Sequence, residues 1–115
     1  MKYILSMIGD ESGWLNQTPE EMQQTIDRVE AFNRALTDAG VWVSAEGMQE
    51  LASAKTVRFA TGSEPVVSDG PFSDANEQVG GFWIIECPGI DEALEWAGQA
   101  PMDDGAIEVR PLVSE

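Results

Sequence analysis

The segment Thr18-Pro19-Glu20-Glu21-Met22-Gln23-Gln24-Thr25-Ile26-Asp27-Arg28-Val29-Glu30-Ala31-Phe32-Asn33-Arg34-Ala35-Leu36-Thr37-Asp38-Ala39-Gly40 decides how the rest of the chain is read. Thr18 suits an N-cap, Pro19 the first helical position, and Glu21 completes the capping-box spacing. Met22, Ile26, Val29, Phe32 and Leu36 follow at steps of four, three, three and four, so they form one apolar stripe. Gly40 stands where a helix ends in the left-handed conformation. The segment predicts an amphipathic helix, which needs an apolar surface to lie on.

Its flanks predict that surface. On the N-terminal side, Tyr3, Leu5 and Met7 alternate with Ile4 and Ile8, with apolar groups on both faces, as in a central strand. A loop from Gly9 to Gln17, containing Trp14, connects strand to helix. On the other side, residues 41–45 read as a short strand and 46–54 as a loop. Residues 55–60 alternate, with Val57 and Phe59 on one side and Thr56 and Arg58 on the other. Turn chemistry at 61–64 sends the chain back through 65–68, and Pro65 places that arm at an edge. Asp69-Gly70-Pro71-Phe72 reads as a tight turn. Residues 81–86 form a second central strand. Residues 91–99 form a second helix, capped by Gly89 or Asp91, with Leu94 and Ala97 inward. Residues 106–110 form the last strand, halted by Pro111.

With the hairpin removed, the order is β-α-β-β-α-β, the split pattern of ferredoxin-like folds. The fold class is α+β: one domain over 1–115, an antiparallel sheet with two helices on one face. The other face is left without a helix, and an apolar sheet face of that kind implies a partner. A second copy, packed sheet on sheet about a two-fold axis, is the simplest.

The chain has 115 residues, with 21 acids against 6 bases, a formal charge of −15. Such a chain is repelled by phosphate backbones and anionic lipid, so no nucleic acid and no membrane partner is expected. No apolar run reaches 18 residues, and the N-terminal apolar stretch is too short for a signal peptide, which makes the cytoplasm the default location. The single Cys87 fits a reducing compartment. The acidity itself suits solubility, salt adaptation or a basic protein partner.

Several runs carry a family resemblance. They are Val67-Ser68-Asp69-Gly70-Pro71-Phe72-Ser73-Asp74, then Gly80-Gly81-Phe82 opening a strand, and Asp91 to Ala97. Gly105 to Pro111 and the start, Met1-Lys2-Tyr3 with Gly9-Asp10-Glu11, complete the set. In this order they resemble the YCII-related, DGPF-type family along almost the whole chain. The resemblance implies a dimeric α/β-barrel of ferredoxin-like subunits and no agreed activity. Broader YCII-type relatives carry a His and Asp pair proposed as catalytic. This chain has no histidine, so that proposal does not carry over. The family is also associated by gene context with extracytoplasmic-function sigma factors.

Among individual residues, Asp69 is a carboxylate at a strand end, suited to accepting a proton or holding a cation. It suits equally a turn side chain bonded to a later amide such as that of Phe72. Gly70 and Pro71 shape the turn, and Phe72 plugs it or lines a pocket mouth. Arg58 suits a carboxylate or phosphate ligand, or pairing with a neighbouring acid, and Arg110 has the same two readings. Trp42, Trp83 and Trp14 suit a ligand cavity or, preferred here, a dimer core. Glu46 is a polar neighbour available to Asp69. Cys87 reads as an inert thiol, lacking a nearby base. No zinc set, phosphate loop, dinucleotide fingerprint or nucleophile elbow is present, so no cofactor or metal is expected. Two functions follow: a dimeric binding or regulatory module with a protein or small-molecule partner, or an enzyme acting on a small organic substrate near Asp69.

Overall fold

The structure is a computed structural model that describes residues 1–114. The long helix forms as its cap dictates. Helix α2 runs Pro19–Asp38; the Thr18 side chain accepts from the Glu21 amide, and the Glu21 carboxylate accepts from the Thr18 amide. Gly40 follows at φ 76°, the left-handed angle expected of it.

Six strands surround this helix in sequence: β1 (Lys2–Asp10), β2 (Trp42–Gly47), β3 (Lys55–Arg58), β4 (Val66–Asp69), β5 (Glu77–Glu86) and β6 (Ala106–Pro111). Four of them build one sheet in the order β2-β5-β1-β6, with every neighbouring pair antiparallel. The two strands apolar on both faces, β1 and β5, occupy the middle as their composition requires. Strands β3 and β4 pair only with each other, Val57 opposite Val67 and Arg58 opposite Val66.

One face of the large sheet holds the core. Tyr3 and Leu5 of β1 and Trp83 and Ile85 of β5 are buried there under Phe32 and Leu36 of α2 and Ala93 of α3 (Ile90–Ala97). The Phe32 ring meets Trp83 edge-on at 5.1 Å, and the Trp83 indole N–H donates to Asn33 Oδ1 at 2.7 Å. The opposite face carries Ile4, Ile84 and Phe82, all half-buried. Ile4 stands across from Ile84, and Ser6 across from Phe82.

Four expectations are corrected. The loop placed at Gly9–Gln17 is instead the end of β1 followed by a short helix α1 (Glu11–Leu15). Asp10 caps that helix by accepting from the Ser12 amide. Five residues are too few to show a helical period, so only the cap could have signalled it. The loop at 46–54 is shortened, because β2 runs to Gly47 and a single 3-10 turn occupies Leu51–Ser53. Strand β5 starts at Glu77, four residues before the apolar run that marks its centre. In α3, Leu94 is exposed and Ala93, Trp96 and Ala97 face the core, a phase set by the start of the helix at Ile90.

The hairpin β3–β4 has no substantial packing against any other element. The molecule measures 48 × 43 × 18 Å with a radius of gyration of 16.3 Å. A compact chain of this length would have a radius of gyration of about 13 Å, so the shape is that of a core with a projecting arm.

Candidate functional site

A concavity with an aromatic floor lies on the helix side of the sheet, where β1 ends and β5 begins. Its architecture starts with an irregularity. Met7 pairs with Gly81 and Ile8 with Val79, so Gly80 is an extra residue in β5, a β-bulge. The Gly80 carbonyl accepts from the Met48 amide at 2.9 Å. Trp14 of α1 lies across the bulge. A Cβ on Gly80 would stand 2.4 Å from the Trp14 ring, and one on Gly9 3.1 Å from it. Two glycines on neighbouring strands therefore make the seat for one indole.

Beside this indole opens a cleft of about 410 Å³, within the range of small-molecule sites. Met7, Gly9, Trp14, Met48 and Gly80 form its floor. Gln17, Thr25, Arg28 and Val29 form one wall, and Pro101, Met102, Asp103 and Asp104 the other, with Asp10 at the α1 end. The Gln17 amide donates to Thr25 Oγ1 at 2.9 Å, and Arg28 pairs with Asp103 at 3.1 Å across the mouth. A smaller cavity of about 210 Å³ adjoins it through Met7 and Val29, bounded by Glu46, Phe82 and Trp83.

The chemistry of the cleft is that of recognition. Its ionisable groups are Asp10, Asp103, Asp104 and Arg28. The Ser12 backbone amide holds the Asp10 carboxyl below its ordinary value, so Asp10 is a weak base. Arg28 and Asp103 spend their charges on each other. Cys87 lies elsewhere, buried, its thiol pushed up by burial first and by the Glu92 carboxylate second. Among the described residues, no group of three His, Cys, Asp or Glu is placed to hold a metal ion.

The residues singled out from sequence fall in three places. Asp69 and Arg58 lie on opposite sides of the projecting hairpin, and Phe72 follows just beyond its second strand. There Lys55 Nζ donates to Asp69 Oδ1 at 2.5 Å, and the Arg58 guanidinium lies 4.9 Å above the Phe72 ring. Gly70, at φ 100°, makes the turn, and its amide donates to the Ala54 carbonyl. The Asp69 side chain is 85% exposed, and none of these three lines either cavity above. Glu46 lines the smaller cavity, while Trp42 lies exposed on the edge strand β2. Arg110 pairs with Glu108 of its own strand at 3.4 Å. Of the tryptophans, Trp83 is in the core beneath α2, away from any sheet-on-sheet interface, because its position shares the face of Ile85. Trp14 is the one in the main cleft. The cleft itself was hidden from sequence reasoning, since its walls come from segments 7–17, 25–29, 48, 80 and 101–104. Its one sequence signal is the Gly80-Gly81 pair, which marks a close approach.

A family model described as YCII-related domain matches residues 1–115. An uncharacterised protein of Rhizobium meliloti (strain 1021) is 34% identical over 115 residues, a span covering 97% of this chain and 92% of the relative. No helix among the described residues is long and apolar enough to cross a membrane.

Proposed function

This chain belongs to the YCII-related domain family, and from that premise we propose that it is a homodimeric binding module taking a small organic ligand in the Trp14 cleft. Each subunit is a ferredoxin-like unit with the β3–β4 hairpin inserted between its second and third sheet strands. Two subunits pack through the sheet faces that carry Ile4, Phe82 and Ile84, in the α/β-barrel manner. The strand order β2-β5-β1-β6 supports this reading, and so does the half-buried apolar row on the face away from the helices. A regulatory role beside an extracytoplasmic-function sigma factor belongs to the same proposal, through family resemblance.

The observation that carries binding over catalysis is the lining of the cleft. It is roomy and has an aromatic floor, yet its carboxylates are lowered, paired or at the rim, and no imidazole, thiol or amine enters it. The enzyme reading centred on Asp69 draws no support from a carboxylate that is exposed and ion-paired on an arm.

The test is a thermal-shift screen of the full chain against a metabolite library, repeated on Thr25→Phe, which fills the cleft from α2. A ligand present at about 100 times its dissociation constant adds about 2.7 kcal/mol, several degrees for a domain of this size. The shift should vanish in Thr25→Phe. Hits unaffected by the filling, or hits converted to a new product by mass spectrometry, would overturn the reading.

A further inference from the structure

We propose that the β3–β4 hairpin is a docking arm whose Val57, Phe59 and Val67 side chains grip the second copy of this chain. The inference rests on the dimer reading above and goes beyond it, by assigning the arm a share of the contact.

The first ground is exposure. Phe59 is 80% exposed, Val67 65% and Val57 47%. Val57 and Val67 are cross-strand partners, and Phe59 follows directly after the end of β3. Together they expose on the order of 300 Å² of apolar surface, comparable to the largest apolar patch of an ordinary monomer, which is often functional. A two-stranded hairpin with no third strand and no helix against it is at best marginal in water. This one projects without substantial packing on its own domain, so its order calls for an external surface.

The second ground is charge, and it selects the occupant. Residues 51–72 hold two bases, Lys55 and Arg58, and two acids, Glu64 and Asp69, a sum of zero. The excess of −15 therefore belongs to the rest of the chain. Two copies repel each other through most of their surfaces, and the neutral arm is the part that approaches a second copy at least Coulomb cost. Arg58 lies on the opposite side of the hairpin, over the Phe72 ring, so the only charges on the gripping side, that of Val57 and Val67, are Lys55 and Asp69, which pair with each other. Area agrees with this. Two arms and the surfaces they cover amount to about 1,200 Å², where specific interfaces begin.

The experiment compares the full chain with the variant Val57→Thr, Phe59→Ser, Val67→Thr by sedimentation velocity over a concentration series. The wild type should be a dimer at micromolar concentration, and the variant should dimerise about 100-fold more weakly or worse, with the same far-ultraviolet dichroism. A wild-type dimer with an unchanged constant in the variant overturns the arm and leaves the dimer standing. A wild-type monomer overturns both. Hydrogen exchange on the wild type covers the case of a misfolded variant. Amides of residues 55–69 should be protected at dimer concentrations and lose protection on dilution. Protection that does not change on dilution, in a chain that does dissociate, overturns the proposal.

Discussion

Replacing Gly80 by alanine tests the seat of Trp14 directly. The new Cβ would lie 2.4 Å from Cζ3, 2.6 Å from Cη2 and 3.3 Å from Cε3 of the indole. All three are inside ordinary contact distance, so the ring must retreat by about 1 Å. The ring also rests close on Gly9 of the neighbouring strand, whose own Cβ position is 3.1 Å from it, and overfilling of this kind costs about 1–3 kcal/mol. Alanine also lowers the entropy of the unfolded chain, which returns about 0.4–1 kcal/mol. The net loss should be about 1–2 kcal/mol, or roughly 4–8 °C in Tm. Chemical denaturation at one fixed protein concentration measures it. Gly47→Ala, where the Cβ meets nothing within 4 Å, is the control and should cost far less. A double-mutant cycle with Trp14→Ala isolates the cause, because without the indole the Gly80→Ala cost should disappear. Equal cost in both backgrounds, or no cost in either, would refute the wedge.

The lowered acidity of Glu21 arises chiefly from its bond with the Thr18 backbone amide, and it sets a sign for pH. A carboxyl lowered in the folded state stabilises above its ordinary value of 4.5, and that contribution is lost as pH falls through the lowered value. The stability gap between wild type and Glu21→Gln should be full near about pH 6 and shrink below about 4.5; a gap that stays flat in denaturation curves down to about pH 2.5 contradicts the cap. Cys87 should resist iodoacetamide in the folded chain near about pH 8 and react once unfolded, since burial and Glu92 raise its thiol; fast native labelling by mass spectrometry would place it at the surface. Ile85, fully buried in β5, should cost about 2–5 kcal/mol on truncation to alanine. A loss below about 1 kcal/mol in urea melts would mean the strand faces the other way.

The parts of this fold that were legible in the sequence are those decided by near neighbours. Helix α2 is announced by Thr18, Glu21 and Gly40, each acting within one turn. The central places of β1 and β5 follow from apolar residues on both faces. In α3 the inward place of Ala97 is legible but that of Leu94 is not, because eight residues with alanines at two positions allow more than one inward face, and only packing against the sheet selects Ala93. Helix α1 escaped because Ser12 and Gly13 are poor helix formers and its support is Trp14 resting on β5. The site was less legible still. The Asp69-Gly70-Pro71-Phe72 turn points to Asp69, Arg58 and Phe72; Arg58 does meet the Phe72 ring, but the Asp69 side chain lies on the other side of the hairpin, bonded to Lys55. The cleft depends on a bulge, and nothing in a chain of alternating residues shows which glycine will be the unpaired one.

Strand β1 has a consequence for how the chain is made. Its residues 3–8 pair on one side with residues 79–85 and on the other with 106–111. The keel of the sheet thus leaves the ribosome before both of its neighbours. At about 5–20 residues per second, the Ile4 and Leu5 edges wait on the order of 5–20 s for their final partner. Few of the sheet's contacts are local, a topology that folds slowly for its size. The growing chain therefore exposes an apolar central strand until β5 and β6 follow, and solubility in that interval depends on the acidic α2 segment that follows it out.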